Sequence, residues 1–161
     1  ARTLDFHGVD VIGVSRSGRP KNPFTMTFRS DQLDQIDFSK ARLVIVALPN
    51  HPTTANIISH SVFQDLRQAF FVNIGRAATV DESAMLNALA SGRLRSAVLD
   101  VFREEPLAPD SHFWDHPGVV ITPHVSGLTK PIDAATAFLN ELTRFESGLV
   151  PLLPVSPDEG Y

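Results

Sequence analysis

The feature that most constrains the fold is a series of short apolar runs, each bounded by turn residues and none longer than a strand. They are Val9–Val14, Leu43–Leu48, Phe70–Ile74, Ala97–Phe102 and Val119–Thr122. Rich in Val and Ile and continuously apolar, they read as strands buried on both faces, as in a parallel sheet. Helical patterns lie between them. Asp81 is placed as an N-cap before Glu82–Ser91, with Gly92 to end the helix, and a weaker helix fits Ser61–Gln68. Pro131 opens an apolar stripe of Ile132, Ala135, Phe138, Leu139, Leu142 and Phe145 that Gly148 stops. Arg2–His7 reads as the last turns of a helix closed by Gly8. Strands alternating with helices predict βαβ units, hence an α/β chain with a doubly wound parallel sheet.

Composition narrows the function classes. At 161 residues and 43% hydrophobic, the chain holds enough apolar matter for one real core. Its net charge of −4, from 14 basic and 18 acidic residues without a long run of either sign, does not favour a nucleic acid or an acidic membrane as partner. With no Cys, the chain has no disulfide, thiol nucleophile, iron–sulfur cluster or Cys-based zinc site, which fits a reducing compartment. Its apolar runs fall far short of the ~20 residues that span a bilayer. Ala1 to Gly8 has no apolar core of the signal-peptide kind, so a cytoplasmic protein is expected. His112 and His116 have i, i+4 spacing, but Pro109 and Pro117 bracket them and no third ligand is evident, so no metal is expected.

In an open α/β sheet, ligands collect beyond the carboxyl ends of the strands. Gly75-Arg76-Ala77 follows one such end, Arg103-Glu104-Glu105-Pro106 the next, and Pro123-His124-Val125-Ser126-Gly127 the last. Neighbouring strands are ~4.8 Å apart, so Arg76, Glu105 and His124 are in reach of one site. A histidine exchanges a proton near neutral pH, and a carboxylate on its other ring nitrogen orients it and favours its protonated form. An arginine offers a planar fork for a carboxylate and a fixed positive charge beside a carbonyl oxygen. Together they suit reduction of a 2-keto acid: Arg76 holds and polarises the substrate, and His124 protonates its oxygen as hydride arrives.

Three segments carry a resemblance. Asn73-Ile-Gly-Arg76-Ala-Ala-Thr-Val-Asp81-Glu82, Leu99-Asp100-Val-Phe-Arg-Glu-Glu105-Pro106-Leu107 and Thr122-Pro-His124-Val-Ser126-Gly127 resemble the signature blocks of the D-isomer-specific 2-hydroxyacid dehydrogenases, and the spacing between blocks fits too. The similarity runs from about Val9 to the terminal Gly160-Tyr161. It implies a Rossmann-like cofactor domain in which Arg76 binds the substrate's carboxylate and carbonyl, Glu105 supports His124, and His124 is the general acid/base. Formate dehydrogenases of this family have Gln where Glu105 stands, so the chain departs from that branch. The Val14-Ser15-Arg16-Ser17 stretch looks most like the glyoxylate and hydroxypyruvate reductase group.

The second strand of a dinucleotide fold normally ends in an Asp or Glu that accepts from the adenosine ribose of NAD. Here Val9–Val14 ends in Ser15-Arg16-Ser17, where Ser15 can hydrogen-bond a 2′-phosphate and Arg16 can pair with it, so NADP(H) is favoured over NAD(H). By resemblance Asp100, an acid in an otherwise apolar strand, accepts from the nicotinamide carboxamide. Its plain alternative is a strand-end acid bonded to backbone. Leu48 and Pro49 would flank the adenine side, Ile74 would also touch the cofactor, and Ser126 and Gly127 would lie against the nicotinamide.

Family members place a substrate domain before the cofactor domain and a G-x-G-x-x-G turn after its first strand. These 161 residues contain no such turn. Residues 1–150 are therefore expected to form a partial dinucleotide-binding domain without the first strand and glycine-rich turn, followed by a tail over 151–161. In a 3-2-1-4-5-6 sheet the lack would leave the edges of Val9–Val14 and Phe70–Ile74 unpaired. The chain is expected to be part of a longer dehydrogenase or a short protein that borrows a strand, inactive alone and homodimeric in the full enzyme. A non-catalytic NAD(P)H-sensing or interaction module that keeps the dehydrogenase fold is the alternative.

Overall fold

The computed structural model describes residues 1–152; the expected tail falls mostly outside them. By its internal contacts the chain separates into two compact units. One comprises Ala1–Val44, Asn56–Phe71 and Val80–Ser96; the other comprises Ile45–Ala55, Val72–Thr79 and, of the described residues, 97–152.

The strands are β1 (Ile12–Ser15), β2 (Met26–Arg29), β3 (Leu43–Val46), β4 (Ala69–Asn73), β5 (Leu94–Leu99) and β6 (Val119–Ile121), and the helices are α1 (Arg2–Phe6), α2 (His60–Asp65), α3 (Glu82–Ala90) and α4 (Pro131–Glu146). β1 and β2 form a parallel pair, from Ile12 opposite Met26 to Ser15 opposite Arg29. The other strands form one sheet in the order β3-β4-β5-β6, with β5 and β6 parallel. Bonds from the Phe70 amide to the Arg42 carbonyl and from the Ile74 amide to the Val46 carbonyl, each 2.9 Å, step forward together, so β3 and β4 are parallel as well. The fold is α/β and Rossmann-like.

Local chemistry explains the elements. The Asp81 carboxylate accepts from the Ala84 amide at 3.0 Å and caps α3, while Gly92, at φ +73°, stops it in a left-handed turn. Pro131 occupies the first turn of α4. Phe63 of α2 meets Phe71 of β4 edge to face, with ring centroids 5.3 Å apart, in a core that also holds Leu66, Ala69, Met85 and Leu94. Among the described residues no helix is long and apolar enough to cross a membrane.

Several expectations need correction. The strands are not buried on both faces: along β4 Ala69, Phe71 and Asn73 are buried while Phe70 is exposed, so one face packs and the other faces outward. β2 escapes the apolar-run criterion because Met26-Thr-Phe-Arg29 mixes polar and apolar residues. The strand expected at Phe70–Ile74 has neighbours on both sides, and among the described residues the edges of the four-stranded sheet are β3 and β6. β5 lies earlier than Ala97–Phe102 because Arg95 and Ser96 conceal its start. α2 ends before Gln68, where the extended Leu66 and Gln68 at φ +53° turn the chain into β4.

Candidate active site

The loops leaving β4, β5 and β6 bring Arg76, Asp100, Glu105, His124 and Ser126 into the same compact unit. The turn after β4 is set by buried polar groups. The Asn73 side chain accepts from the Gly75 amide at 3.1 Å, and its amide group donates to the Arg76 carbonyl at 3.3 Å. Thr79 donates its hydroxyl to that carbonyl at 2.7 Å. Both residues are nearly inaccessible, so these bonds satisfy groups that burial would otherwise penalise. Arg76 itself is exposed, with one guanidinium N–H on the Gly75 carbonyl at 2.8 Å. Sequence reasoning gave Asn73 and Thr79 no role, although a polar residue ending an apolar strand was the available signal.

The Glu105 carboxylate has divided duties. Oε1 accepts from the Phe102 amide at 2.8 Å, and Oε2 lies 2.7 Å from Nδ1 of His124. A carboxylate only accepts, so Nδ1 carries the proton and Nε2 faces away from this bond. The His124 side chain is 47% exposed and therefore open to a ligand. The bond to His124 first, then the Phe102 amide, with smaller contributions from the charges of His124 and Arg76, holds the Glu105 carboxyl below its ordinary range.

Asp100 sits just past the end of β5 and is 1% exposed. Oδ1 accepts from the Val125 amide at 3.0 Å and from the Thr122 hydroxyl. Oδ2 accepts from the Ser126 amide at 3.0 Å and from the Ser126 hydroxyl. Burial alone would push this carboxyl up, but the bonds from Ser126, Thr122 and Val125 outweigh it and hold the group well below the carboxylate range. The carboxylate is thus bonded to the loop Thr122–Ser126, as the alternative of a strand-end acid bonded to backbone has it. Ser126 likewise directs both its amide and its hydroxyl at Asp100.

The remaining expected cofactor residues of this unit supply an apolar rim. Ile74 is 40% exposed, Leu48 is half-buried and Pro49 is exposed. The Pro49 carbonyl accepts from the Thr54 hydroxyl at 2.7 Å, which fixes the chain after β3. No atom lies within 4 Å of where a β carbon on Gly127 would stand.

Ser15, Arg16 and Ser17 belong to the other unit. There the Ser15 hydroxyl accepts from the Gly18 amide at 3.2 Å, and the Ser17 hydroxyl from the Arg19 amide at 3.4 Å. Gly18, at φ +62°, has its Cα so near β2 that a β carbon would lie 2.9 Å from the Arg29 amide nitrogen. The turn is thereby pinned, with Arg16 exposed beyond the end of β1. By their chemistry Ile74, Arg76 and Gly127 are the residues of the one unit that could meet a nicotinamide, and Arg16 of the other could meet an anionic ribose. The G-x-G-x-x-G turn that would cradle the pyrophosphate is not in this sequence. Among the described residues no cluster of His, Asp and Glu could hold a metal ion.

Residues 1–126 match the family described as D-isomer specific 2-hydroxyacid dehydrogenase, NAD binding domain. A crystal structure of a D-isomer specific 2-hydroxyacid dehydrogenase from Xanthobacter autotrophicus Py2, in complex with NADPH and MES, is similar at 34% identity and a TM-score of 0.87, over 100% of this chain and 66% of that one. The NADPH-dependent glyoxylate/hydroxypyruvate reductase of Sinorhizobium meliloti, in complex with NADP and sulfate, is similar at 35% identity and a TM-score of 0.90, over 100% of this chain and 52% of that one. A probable 2-hydroxyacid dehydrogenase from Rhizobium etli CFN 42, in complex with NADP, HEPES and L(+)-tartaric acid, gives 31% identity and a TM-score of 0.88, over 99% of this chain and 52% of that one. The chain thus spans between about half and two thirds of the length of these proteins.

Proposed function

Since the chain belongs to the D-isomer specific 2-hydroxyacid dehydrogenase family through its NAD binding domain, we propose that it is the cofactor-binding part of an NAD(P)H-dependent reductase of small 2-keto acids of the glyoxylate or hydroxypyruvate kind. The observation that carries this reading is the 2.7 Å bond between His124 Nδ1 and Glu105 Oε2, which fixes the proton on one ring nitrogen and frees the other. Arg76 lies in the same unit, near enough for its charge to be felt by Glu105.

When bound, the nicotinamide nucleotide supplies hydride to the keto carbon. Arg76 presents a planar fork to the substrate carboxylate, and its charge stabilises the carbonyl oxygen as that oxygen becomes negative. His124 holds a proton at Nε2 and gives it to the same oxygen; in the reverse direction it takes the proton back. Glu105 accepts from Nδ1 and keeps the ring in one orientation. NADP(H) is the preferred carrier in this reading, supported by Arg16 where an acidic residue would repel a 2′-phosphate. A cytoplasmic homodimer joined through its cofactor domains is the assembly it implies.

The test joins this chain to a substrate domain and to a first strand with its glycine-rich turn, and follows NADPH oxidation with glyoxylate and with hydroxypyruvate. Turnover is expected there, and none from the 161-residue chain alone. His124→Ala should lower turnover by roughly 10²–10⁴-fold, the usual worth of a positioned general acid, while NADPH binding stays. Turnover unaffected by His124→Ala overturns the role of His124, and an assembly that binds NADPH without any turnover favours a sensing module.

A further inference from the structure

We propose that Asp100 is a positioning residue: its buried carboxylate grips the chain on both sides of His124 and holds that residue's backbone in the conformation that lays the imidazole on Glu105. The inference rests on the reading of His124 given above, but its geometry stands independently.

His124 has φ +52°, in the left-handed region that a side chain with a β carbon rarely adopts. Such a conformation persists only where its surroundings over-determine it. The surroundings here are the single carboxylate of Asp100. It takes the hydroxyl of Thr122, before His124, and the amides of Val125 and Ser126 together with the Ser126 hydroxyl, after it. The His124 amide closes the turn on the Thr122 carbonyl at 3.0 Å. The chain is therefore tied before and after His124 to one rigid point at the end of β5, and the ring is presented to Glu105 from the bend between the ties.

Only an ionised carboxylate can fill this role. Each oxygen faces a backbone N–H, Val125 on one side and Ser126 on the other. An asparagine, although nearly the same shape, presents an NH₂ group to one of those amides whichever way it is turned, so two donors face each other. The four bonds also account for a charge in an almost inaccessible place, since burying a carboxylate is tolerable only when its lone pairs are filled.

The experiment uses the 161-residue chain labelled at histidine and backbone nitrogen, and needs neither substrate nor cofactor, so its result is separate from the fate of the proposed activity. In the unsubstituted chain the His124 Nδ1 proton should be seen far downfield, as a proton shared with a carboxylate, and the Val125 and Ser126 amides should exchange slowly. In Asp100→Asn the downfield signal should vanish and both amides should exchange at least tenfold faster, while the Met85 and Ala88 amides of α3 stay protected. A retained Nδ1 signal with unchanged Val125 and Ser126 exchange overturns the proposal. If Asp100→Asn does not fold, Thr122→Val with Ser126→Ala removes two of the four ties and keeps the charge. That pair should speed Val125 and Ser126 exchange severalfold relative to α3, and no change there also overturns it.

Discussion

Gly75 lies against the backbone of Leu48 so closely that a β carbon on it would stand 2.5 Å from the Leu48 amide nitrogen and 2.6 Å from its carbonyl oxygen. Both atoms are main chain at the end of β3, so neither yields cheaply. Gly75→Ala should therefore destabilise the chain by about 1–3 kcal/mol, the usual range for an overpacked contact. In a thermal melt this is a fall of roughly 2–4 °C per kcal/mol for a chain of this size. Gly127→Ala, with no atom within 4 Å of the new carbon, is the control and should melt with the parent.

Acid should release Glu105 from its two partners. Its folded pKa lies below the ordinary 4.5 because His124 and the Phe102 amide favour the charged form. A depressed acid adds stability that is complete above about 4.5 and is lost as pH falls through the folded value. The Phe102 amide resonance should hence stay constant from neutral pH to about 4.5 and move only below it. A midpoint above the ordinary value would contradict the pairing.

Glu105→Gln keeps the shape and an acceptor but removes the negative charge beside Nδ1 of His124. In an active assembly, turnover should fall roughly ten- to hundredfold, equivalent to about 1.5–3 kcal/mol for a bond to a charged group. Turnover unchanged by Glu105→Gln would mean that the charge of Glu105 has no part in the reaction.

Arg16→Glu places a carboxylate where a 2′-phosphate is proposed to lie. Affinity for NADPH should drop by roughly ten- to hundredfold, in line with one charge-assisted contact, while NADH affinity holds or improves. Fluorescence titration with each nucleotide checks this, and a parallel loss of both would point to a collapsed turn.

Among the described residues β3 pairs only with β4, and Leu43 and Ile45 are 40% and 49% exposed. An open apolar edge invites pairing between copies, and a lysine is a common remedy. Ile45→Lys should reduce self-association of the isolated chain in light scattering. Unchanged association would place the sticky surface elsewhere.

What the sequence made legible was whatever depends on near neighbours. Val and Ile runs located β3, β4 and β6, Asp81 and Gly92 bracketed α3, and Pro131 opened α4, because caps and strand formers act over one turn or one pleat. β2 was illegible because its four residues hide half their pattern behind Thr27 and Arg29, and only the pairing with β1 makes it a strand. Arg76, Glu105 and His124 could be set on adjacent strand ends from sequence, but the duty of Asp100 could not. Its amide partners stand 25 and 26 residues away, and nothing local says that one carboxylate will gather them.

Arg76, Asp100, Glu105 and His124 all fall in one compact unit, whereas Ser15, Arg16 and Ser17 fall in the other. The residues proposed to handle the proton and those proposed to choose the electron carrier thus lie in separate stretches of the chain. A lineage, or an engineer, can rewrite the turn after β1 to draw on a different reductant pool without disturbing the residues proposed to act on the substrate. The proposed acid–base apparatus is the part to be kept whole, since Asp100, Glu105 and the loop that carries His124 are tied together across loops that no single replacement could rebuild.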